Sequence, residues 1–257
     1  MDALLKLENI VMRFGGLTAV NDFSLTVRAK ELIGLIGPNG AGKTTVFDVI
    51  TGFLIPTAGR VILDDVDVTP LPAQKITARG IARTFQNIRL FPDMTVIENV
   101  MVSFHPRLKA QFWQAALGLP SYRREELSIR EESMALLQEL SLAHLALERA
   151  SALPYGQQRR LEIVRALATR PKLLLLDEPA AGMNPQETME LADLVRELRD
   201  RYSLSILLVE HDMKFVMNLC ERIKVLDHGV SLAEGSPSEI QRHPDVIKAY
   251  LGDAKHA

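Results

Sequence analysis

Residues 37–44 read Gly37-Pro38-Asn39-Gly40-Ala41-Gly42-Lys43-Thr44, and Thr45 follows. Glycines at this spacing let the backbone turn tightly and direct its N–H groups at an anion. The lysine can reach the β- and γ-phosphates of a nucleotide, and the Thr44 hydroxyl can bind Mg²⁺. The apolar run 31–36 predicts a buried strand before the loop, and residues 43–50 predict a helix that ends at Gly52. The stretch therefore predicts a phosphate-binding loop, with a chance glycine-rich turn as the alternative.

Length, charge and cysteine content limit the class of protein. The 257 residues are 47% hydrophobic, which is enough for a well-buried core in one large domain. A formal net charge of −2 provides no basic field to attract nucleic acid. Cys220 is the only cysteine, so no internal disulfide is expected, as suits a reducing cytosol. No apolar run approaches the roughly 18–20 residues of a membrane span, and residues 1–30 lack a signal-peptide pattern. We expect any membrane role to depend on a partner.

Three nearly continuous apolar runs predict parallel strands that are covered on both faces: Leu32–Ile36, Leu173–Leu176 and Leu204–Val209. A polar cluster follows each run, and the carboxyl ends of such strands meet at one edge of a sheet, where ligands bind. Asp177 and Glu178 follow the second run. One carboxylate there can hold Mg²⁺, and its neighbour can orient or deprotonate a water. An acidic pair alone is often only a solvated loop, but together with the phosphate-binding loop it indicates a nucleotide-hydrolysing site.

Other patterns predict the parts around this α/β core. Residues 5–11, 23–27 and 61–68 partly alternate, and Gly15-Gly16 separates the first two, which predicts an antiparallel sheet beside the parallel one. Residues 93–168 are mostly helical in pattern, and a helix is expected from about Gly156 to Arg170. The capping-box spacing at Ser236, with proline next, predicts a helix start, and a short last helix is expected over 245–251.

The motifs and their order resemble the nucleotide-binding subunit of an ABC transporter. Leu153-Pro-Tyr-Gly-Gln157 occupies the position of that family's Leu-Ser-Gly-Gly-Gln signature, and the resemblance extends from Leu5 to Gly252. It implies a P-loop NTPase (RecA-like) fold, with a parallel-sheet core, an antiparallel β subdomain and an α-helical signature subdomain. We expect a single domain over residues 1–257, divided into a β subdomain (about 1–30 and 57–80), a core (about 31–56 and 169–235), a helical subdomain (about 87–168) and a C-terminal helical tail (236–257).

The resemblance also implies the cofactors ATP and Mg²⁺ and assigns roles by position. Phe14 would stack on adenine, with a core aromatic of the small sheet as an equal alternative. Gln86 would contact Mg²⁺ and water and connect the site to the membrane domain, while His211 would contact the γ-phosphate. Glu178 would be the catalytic carboxylate. A lone glutamine is usually a loop residue and a lone histidine is usually structural, but the order of the motifs favours function here. The full expected site comprises the catalytic residues Lys43, Gln86, Glu178 and His211, the metal ligands Thr44, Gln86 and Asp177, and the nucleotide-binding residues Phe14, 37–45, Tyr155, Gly156 and Gln157.

Three residues depart from the family pattern. Pro154 replaces the signature serine, Tyr155 replaces the first signature glycine, and Asn184 stands where many members have aspartate. In this family the signature of one subunit completes the nucleotide site of another. Because the chain carries one set of motifs, we expect it to work as a dimer with a second ATP-binding subunit, closed by ATP and reopened after hydrolysis.

Four stretches look most like the larger ATP-binding subunit of branched-chain amino acid importers: residues 83–91, 155–163, 178–185 and 243–252. The segment 105–124 also resembles that group, and its Phe112 and Trp113 are expected to pack on the helical subdomain or, alternatively, to touch a partner. The resemblance implies a heterodimer of ATP-binding subunits on two integral membrane permeases, served indirectly by a substrate-binding protein. The chain would lie peripherally on the cytoplasmic face of the inner membrane.

The alternatives are the same ATPase with another cargo and ABC proteins outside transport. Another amino acid, a urea-type amide and lipopolysaccharide export are all compatible with these residues, because such a subunit does not touch its cargo. DNA-maintenance relatives insert a long coiled coil, which is missing here, and the negative charge argues against a DNA clamp. Translation-associated members usually carry two tandem copies, whereas this chain has one. The intact Lys43, Asp177, Glu178 and His211 argue against a nucleotide-binding regulatory module without turnover.

Overall fold

The computed structural model describes residues 3–104 and 120–252, which form two compact units. The first unit runs to Gln86 and resumes at Lys172, and the second comprises Asn87–Pro171. The predicted extra segment 105–124, with Phe112 and Trp113, falls mostly outside the described residues. None of the helices within 3–104 and 120–252 combines the length and the apolar character that a bilayer crossing requires.

The secondary structure alternates strands and helices in the first unit and is helical in the second. The strands are β1 (Ala3–Phe14), β2 (Leu17–Arg28), β3 (Leu32–Ile36), β4 (Ala58–Leu63), β5 (Val66–Asp67), β6 (Ile81–Arg83), β7 (Leu173–Asp177), β8 (Ser205–Val209), β9 (Arg222–Asp227) and β10 (Val230–Gly235). The helices are α1 (Lys43–Ile50), α2 (Ala73–Ala78), α3 (Val96–Val102), α4 (Pro120–Glu139), α5 (Tyr155–Ala168), α6 (Pro185–Tyr202), α7 (Met213–Leu219), α8 (Pro237–Arg242) and α9 (Pro244–Gly252).

A six-stranded sheet in the order β10-β9-β3-β8-β7-β6 forms the centre of the first unit. Five of its strands are parallel, and β10 joins the edge antiparallel to β9. Every residue of β3, β7 and β8 is buried, which confirms the prediction of strands covered on both faces. These three strands are neighbours, so the polar clusters that follow them leave the sheet at the same edge.

The second sheet of this unit is antiparallel, in the order β2-β1-β4-β5. The β1–β2 hairpin turns at Gly15-Gly16, as predicted, with Phe14 opposite Leu17. The prediction of one strand over 61–68 is wrong in detail, because the chain reverses between β4 and β5. Asp64 and Asp65 both have positive φ, of 48° and 60°, and short acidic side chains tolerate this left-handed turn geometry.

One hydrophobic core joins the two sheets of the first unit. It includes Ile10 and Phe23 from the antiparallel sheet, Leu35 and Leu175 from the parallel sheet, and Phe47 from α1. The strands that carry the alternating pattern therefore pack their apolar faces against the helix that follows the glycine-rich loop. The position of that helix depends on this packing, because its own eight residues are too few for independent stability.

The described residues of the second unit, 87–104 and 120–171, contain α3, α4, α5 and short 3₁₀ turns at Ala143–Leu145 and Ala150–Ala152. A capping box at Thr95 and Glu98 begins α3. The completely buried Asn99 side chain accepts the Phe91 N–H and donates to the Phe91 carbonyl, which attaches the incoming segment to the helix. The helix predicted from about 156 to 170 is observed over 155–168.

The C-terminal elements match their predictions closely. Ser236 and Glu239 form the predicted capping box at the start of α8, with proline in the first turn. The last described helix spans Pro244–Gly252, one residue longer at each end than the predicted 245–251. Both belong to the first unit.

We predict that Phe23→Ala lowers the free energy of unfolding by about 3–5 kcal/mol, because it leaves a cavity where a fully buried ring joins the sheets. Leu17→Ala, on the same strand but 67% exposed, should change it by less than about 0.5 kcal/mol. Urea unfolding followed by circular dichroism measures both values. Equal stability of the two variants would contradict the shared core.

Candidate functional site

The glycine-rich loop connects β3 to α1, and two of its glycines have no room for a side chain. A Cβ on Gly37 would lie 2.0 Å from the Leu226 carbonyl oxygen. Gly42 has a φ of 103°, and a Cβ there would lie 2.6 Å from the Ala19 carbonyl oxygen. The loop is thus pressed against β2 and β9 on one side, while Asn39 and Gly40 are exposed on the other. Its exposed side is the side on which an anion can approach the backbone N–H groups.

Lys43 is the first residue of α1 and only 6% exposed. Its ammonium donates to the carbonyl oxygens of Gly37 at 2.7 Å and Pro38 at 2.9 Å, so it braces the loop from within. Burial lowers the pKa of Lys43, and the carboxylates of Glu178 and Asp177 act in the opposite direction. The next two residues of the helix, Thr44 and Thr45, are exposed and half-buried, respectively.

The acidic pair stands where β7 ends, beside β8. Asp177 is the last residue of β7 and lies opposite Val209. Glu178 follows in the left-handed region, with a φ of 45°, and its backbone N–H donates to the Val209 carbonyl at 2.8 Å. This turn sends the two carboxylates in different directions, so the buried Asp177 and the partly exposed Glu178 can serve different roles.

Arg83, which is not among the predicted site residues, binds the buried Asp177 carboxylate. Its guanidinium donates to Asp177 Oδ2 at 2.8 Å and to Asp48 Oδ1 of α1 at 2.6 Å. It lies over the rings of Phe47 and Phe85, at 5.4 and 4.9 Å from their centroids, where cation–π attraction stabilises it. Burial raises the pKa of the Asp177 carboxyl, and the hydrogen bond and charge of Arg83 lower it. The signal in the sequence was an arginine inside the 83–91 motif.

Gln86, Glu178 and His211, predicted from three remote segments, meet around one carboxylate oxygen. Glu178 Oε2 accepts a hydrogen bond from Gln86 Nε2 at 2.9 Å, and His211 Nδ1 lies 3.5 Å away. Gln86 itself is exposed, and more than half of the His211 side chain is accessible. The arrangement presents an amide, a carboxylate and an imidazole to solvent at the edge that also carries the glycine-rich loop.

Phe14 ends β1 at the hairpin turn and is 46% exposed. The alternative of a core aromatic is therefore wrong, and the ring is accessible to a planar ligand. Its role in stacking on adenine stays a prediction.

The signature residues Tyr155, Gly156 and Gln157 begin α5 in the second unit, after Pro154 as N-cap. The Tyr155 hydroxyl accepts two hydrogen bonds from Arg159, at 3.1 and 2.8 Å, and Arg159 pairs with Glu162 at 3.1 Å. This network explains how a tyrosine is accommodated where the family pattern has glycine. It directs the hydroxyl back along its own helix, towards Arg159 one turn later.

The oxygen donors expected for Mg²⁺ are the Thr44 hydroxyl, the Gln86 amide and the Asp177 carboxylate, and hard oxygen ligands suit this ion. Within residues 3–104 and 120–252, no cluster of three or more His, Cys, Asp or Glu side chains is arranged to hold a metal. Mg²⁺ is usually held by one or two protein oxygens together with substrate phosphates, and the chemistry of the three expected donors suits that arrangement.

Comparison with known proteins points to one family. Residues 20–181 match the family model described as "ABC transporter", and residues 232–256 match "Branched-chain amino acid ATP-binding cassette transporter". The chain is 50% identical over 251 residues to the high-affinity branched-chain amino acid transport ATP-binding protein LivG of Salmonella typhimurium, covering 98% of both chains. It is 48% identical, with the same coverage, to the corresponding protein BraF of Pseudomonas aeruginosa.

A solved structure shares the fold. The ADP conformation of MJ1267, an ATP-binding cassette of an ABC transporter, is 32% identical in sequence and superposes with a TM-score of 0.86. The match covers 98% of this chain and all of the other.

We predict that Arg83→Met lowers the free energy of unfolding by about 3–5 kcal/mol near neutral pH, because it leaves the Asp177 carboxylate buried without its partner. Loss of Arg83 raises the Asp177 pKa of the folded protein further above its unfolded value. The folded variant then binds more protons, so its deficit should shrink as the pH falls towards about 4.5. Urea unfolding at several pH values measures this trend.

The matched control is Arg60→Met, which removes an exposed arginine paired to Glu8 at 2.9 Å. Such a surface pair contributes about 0–1 kcal/mol. A deficit of Arg83→Met no larger than that of the control, or one independent of pH, would contradict the role given to Arg83.

Proposed function

The chain belongs to the ABC transporter family, and from this premise we propose that it is the ATP-hydrolysing subunit of an importer for branched-chain amino acids. The observation that carries the catalytic part is the meeting of Gln86, Glu178 and His211 around one oxygen, at the sheet edge that holds the glycine-rich loop. The cargo is inferred from the names of LivG and BraF and from the match of residues 232–256.

ATP would bind with its phosphates against the exposed side of loop 37–42. Backbone N–H groups and the N-terminus of α1 attract the anion, and both act without any side-chain rearrangement. Lys43, already held near the loop by two carbonyl oxygens, places a positive charge beside the β- and γ-phosphates. The accessible ring of Phe14 would stack on the adenine.

Hydrolysis needs a water in line with the γ-phosphate and charge stabilisation around it. Glu178 would orient and deprotonate that water, with Gln86 fixing its carboxylate at 2.9 Å. His211, whose Nδ1 lies 3.5 Å from the same carboxylate oxygen, would donate to the γ-phosphate. Thr44, Gln86 and Asp177 would hold Mg²⁺, which neutralises charge on the phosphates when bound.

A second ATP-binding subunit would complete the site. Tyr155, Gly156 and Gln157 form the first turn of a helix, in which the Gln157 N–H already donates to the Pro154 carbonyl at 3.0 Å. The N–H groups of Tyr155 and Gly156 and the positive dipole end would therefore face the γ-phosphate of the partner's nucleotide. With one loop and one signature per chain, two subunits form two composite sites. The pair would be a heterodimer bound peripherally to integral membrane permeases at the cytoplasmic face of the inner membrane, with a substrate-binding protein outside and no nucleic acid.

We predict that cells lacking this chain lose high-affinity uptake of radiolabelled leucine and recover it with the wild-type chain but not with Lys43→Ala. Removal of one preorganised charge that contacts the phosphates should lower the ATPase rate of the assembled complex about a hundredfold or more. Matched expression of both proteins is the control. Equal uptake in all strains, without another leucine carrier, would overturn the cargo, and full ATPase activity of Lys43→Ala would overturn the site.

We further predict that Glu178→Gln, which keeps the shape of the side chain but cannot accept the proton of the water, traps the ATP-bound dimer. Light scattering with Mg-ATP should show an assembly of two subunits in at least one of two samples, the chain alone and the chain mixed with its partner subunit. ADP should leave the variant monomeric. A variant that stays monomeric with ATP in both samples would contradict the shared-site arrangement.

A further inference from the structure

A buried carboxylate links the two catalytic loops. Glu210 directly follows β8 and is 1% exposed. Its Oε1 accepts the backbone N–H of Ala180 at 2.8 Å, and its Oε2 accepts that of His211 at 3.1 Å. We propose that Glu210 is a positioning residue that sets the distance between Glu178 and His211. This inference rests on the proposed function of those two residues.

The link lies where the ladder of the sheet ends. The last registered pair of β7 and β8 is Asp177 with Val209, and one further bond joins the Glu178 N–H to the Val209 carbonyl. Beyond this point the two segments diverge: the one after β7 continues through Ala180, and the one after β8 continues through His211. The Glu210 carboxylate connects these two segments at the point where backbone hydrogen bonds between them end.

The chemistry of the link requires a carboxylate. Both oxygens of an ionised carboxyl accept hydrogen bonds, and here each one faces a backbone N–H group. Burial raises the pKa of Glu210, and hydrogen bonds from the backbone N–H groups of Ala180 and His211 lower it. A glutamine would turn its NH₂ group towards one of these donors, so one of the two loops would lose its attachment.

Glu210 also lies close to the two side chains that are proposed to react. His211 Nδ1 lies 3.5 Å from Glu178 Oε2 and 3.8 Å from Glu210 Oε2, so both carboxylates face the same ring nitrogen. A displacement of about 1 Å in either loop would misalign the water-activating carboxylate and the imidazole, and such shifts can slow an enzyme about a hundredfold. In the proposed site ATP is bound chiefly by loop 37–42, Lys43 and Phe14, so a shift of the His211 contact should change KM for ATP little.

The test compares Glu210→Gln with wild type in the complete transporter. We expect kcat for ATP hydrolysis to fall at least tenfold, while KM for ATP stays within twofold. Amide hydrogen exchange of the purified chain should quicken at Ala180 or at His211 and remain unchanged in β3. Glu210→Asp keeps the charge but is one methylene too short to span both donors, so it should lower kcat similarly. This variant replaces Glu210→Gln in the test if the glutamine variant does not fold.

Glu31→Gln is the matched control. Glu31 is also a buried glutamate, paired with Arg222 at 2.8 Å, but it precedes β3 and so lies at the opposite end of the sheet from the loop. This variant should lose stability without a change in kcat. A Glu210→Gln variant with the kcat of Glu31→Gln, or with unchanged exchange at both amides, would overturn the proposal. Failure of the proposed function would show separately, as a wild-type complex without ATPase activity, and the exchange rates would still decide whether Glu210 ties the loops.

Discussion

Burial of β3, β7 and β8 on both faces is the constraint on which the site depends. A strand covered on both sides has no exposed position along its length, so reactive side chains can stand only at its last residue or beyond it. Because the three strands are parallel neighbours, their carboxyl ends meet at one edge. The glycine-rich loop, the acidic pair and the histidine are brought together by this topology, although more than 170 positions of sequence separate Gly37 from His211.

The site residues that were predicted from the sequence lie in patterns that can be recognised within a few neighbouring residues. A continuous apolar run followed by a polar cluster marks β3, β7 and β8, and the glycine spacing marks the loop. By contrast, β6 has only three residues, too few for any periodicity, and the partners of Arg83 lie 35 and 94 positions away in the chain. The role of Arg83 follows from the pairing of β6 with β7 in the folded sheet. The chain reversal at Asp64-Asp65 is not predictable from the pattern, because acidic residues within an apolar stretch fit the exposed face of a continuous strand equally well.

The charged side chains in and around the site are each fixed by two hydrogen bonds or ion pairs. Lys43 bonds two carbonyl oxygens, Arg83 bridges two carboxylates, and Glu210 accepts from two loops. Such fixed polar groups need not reorganise when charge develops on a phosphate, which is the usual source of electrostatic catalysis. They also make the site dependent on the surrounding core, because each buried charge is tolerable only while its partners stay in place.

The left-handed backbone of Glu178 has a consequence for how this protein can change. A glutamate at a φ of 45° is strained by about 1 kcal/mol or more, whereas glycine or asparagine would adopt the same turn more easily. At position 178, therefore, the residues that fit the turn most easily lack the carboxylate that the proposed mechanism requires. Directed evolution that rewards only heat resistance would therefore favour replacement of Glu178, at the expense of the proposed activity.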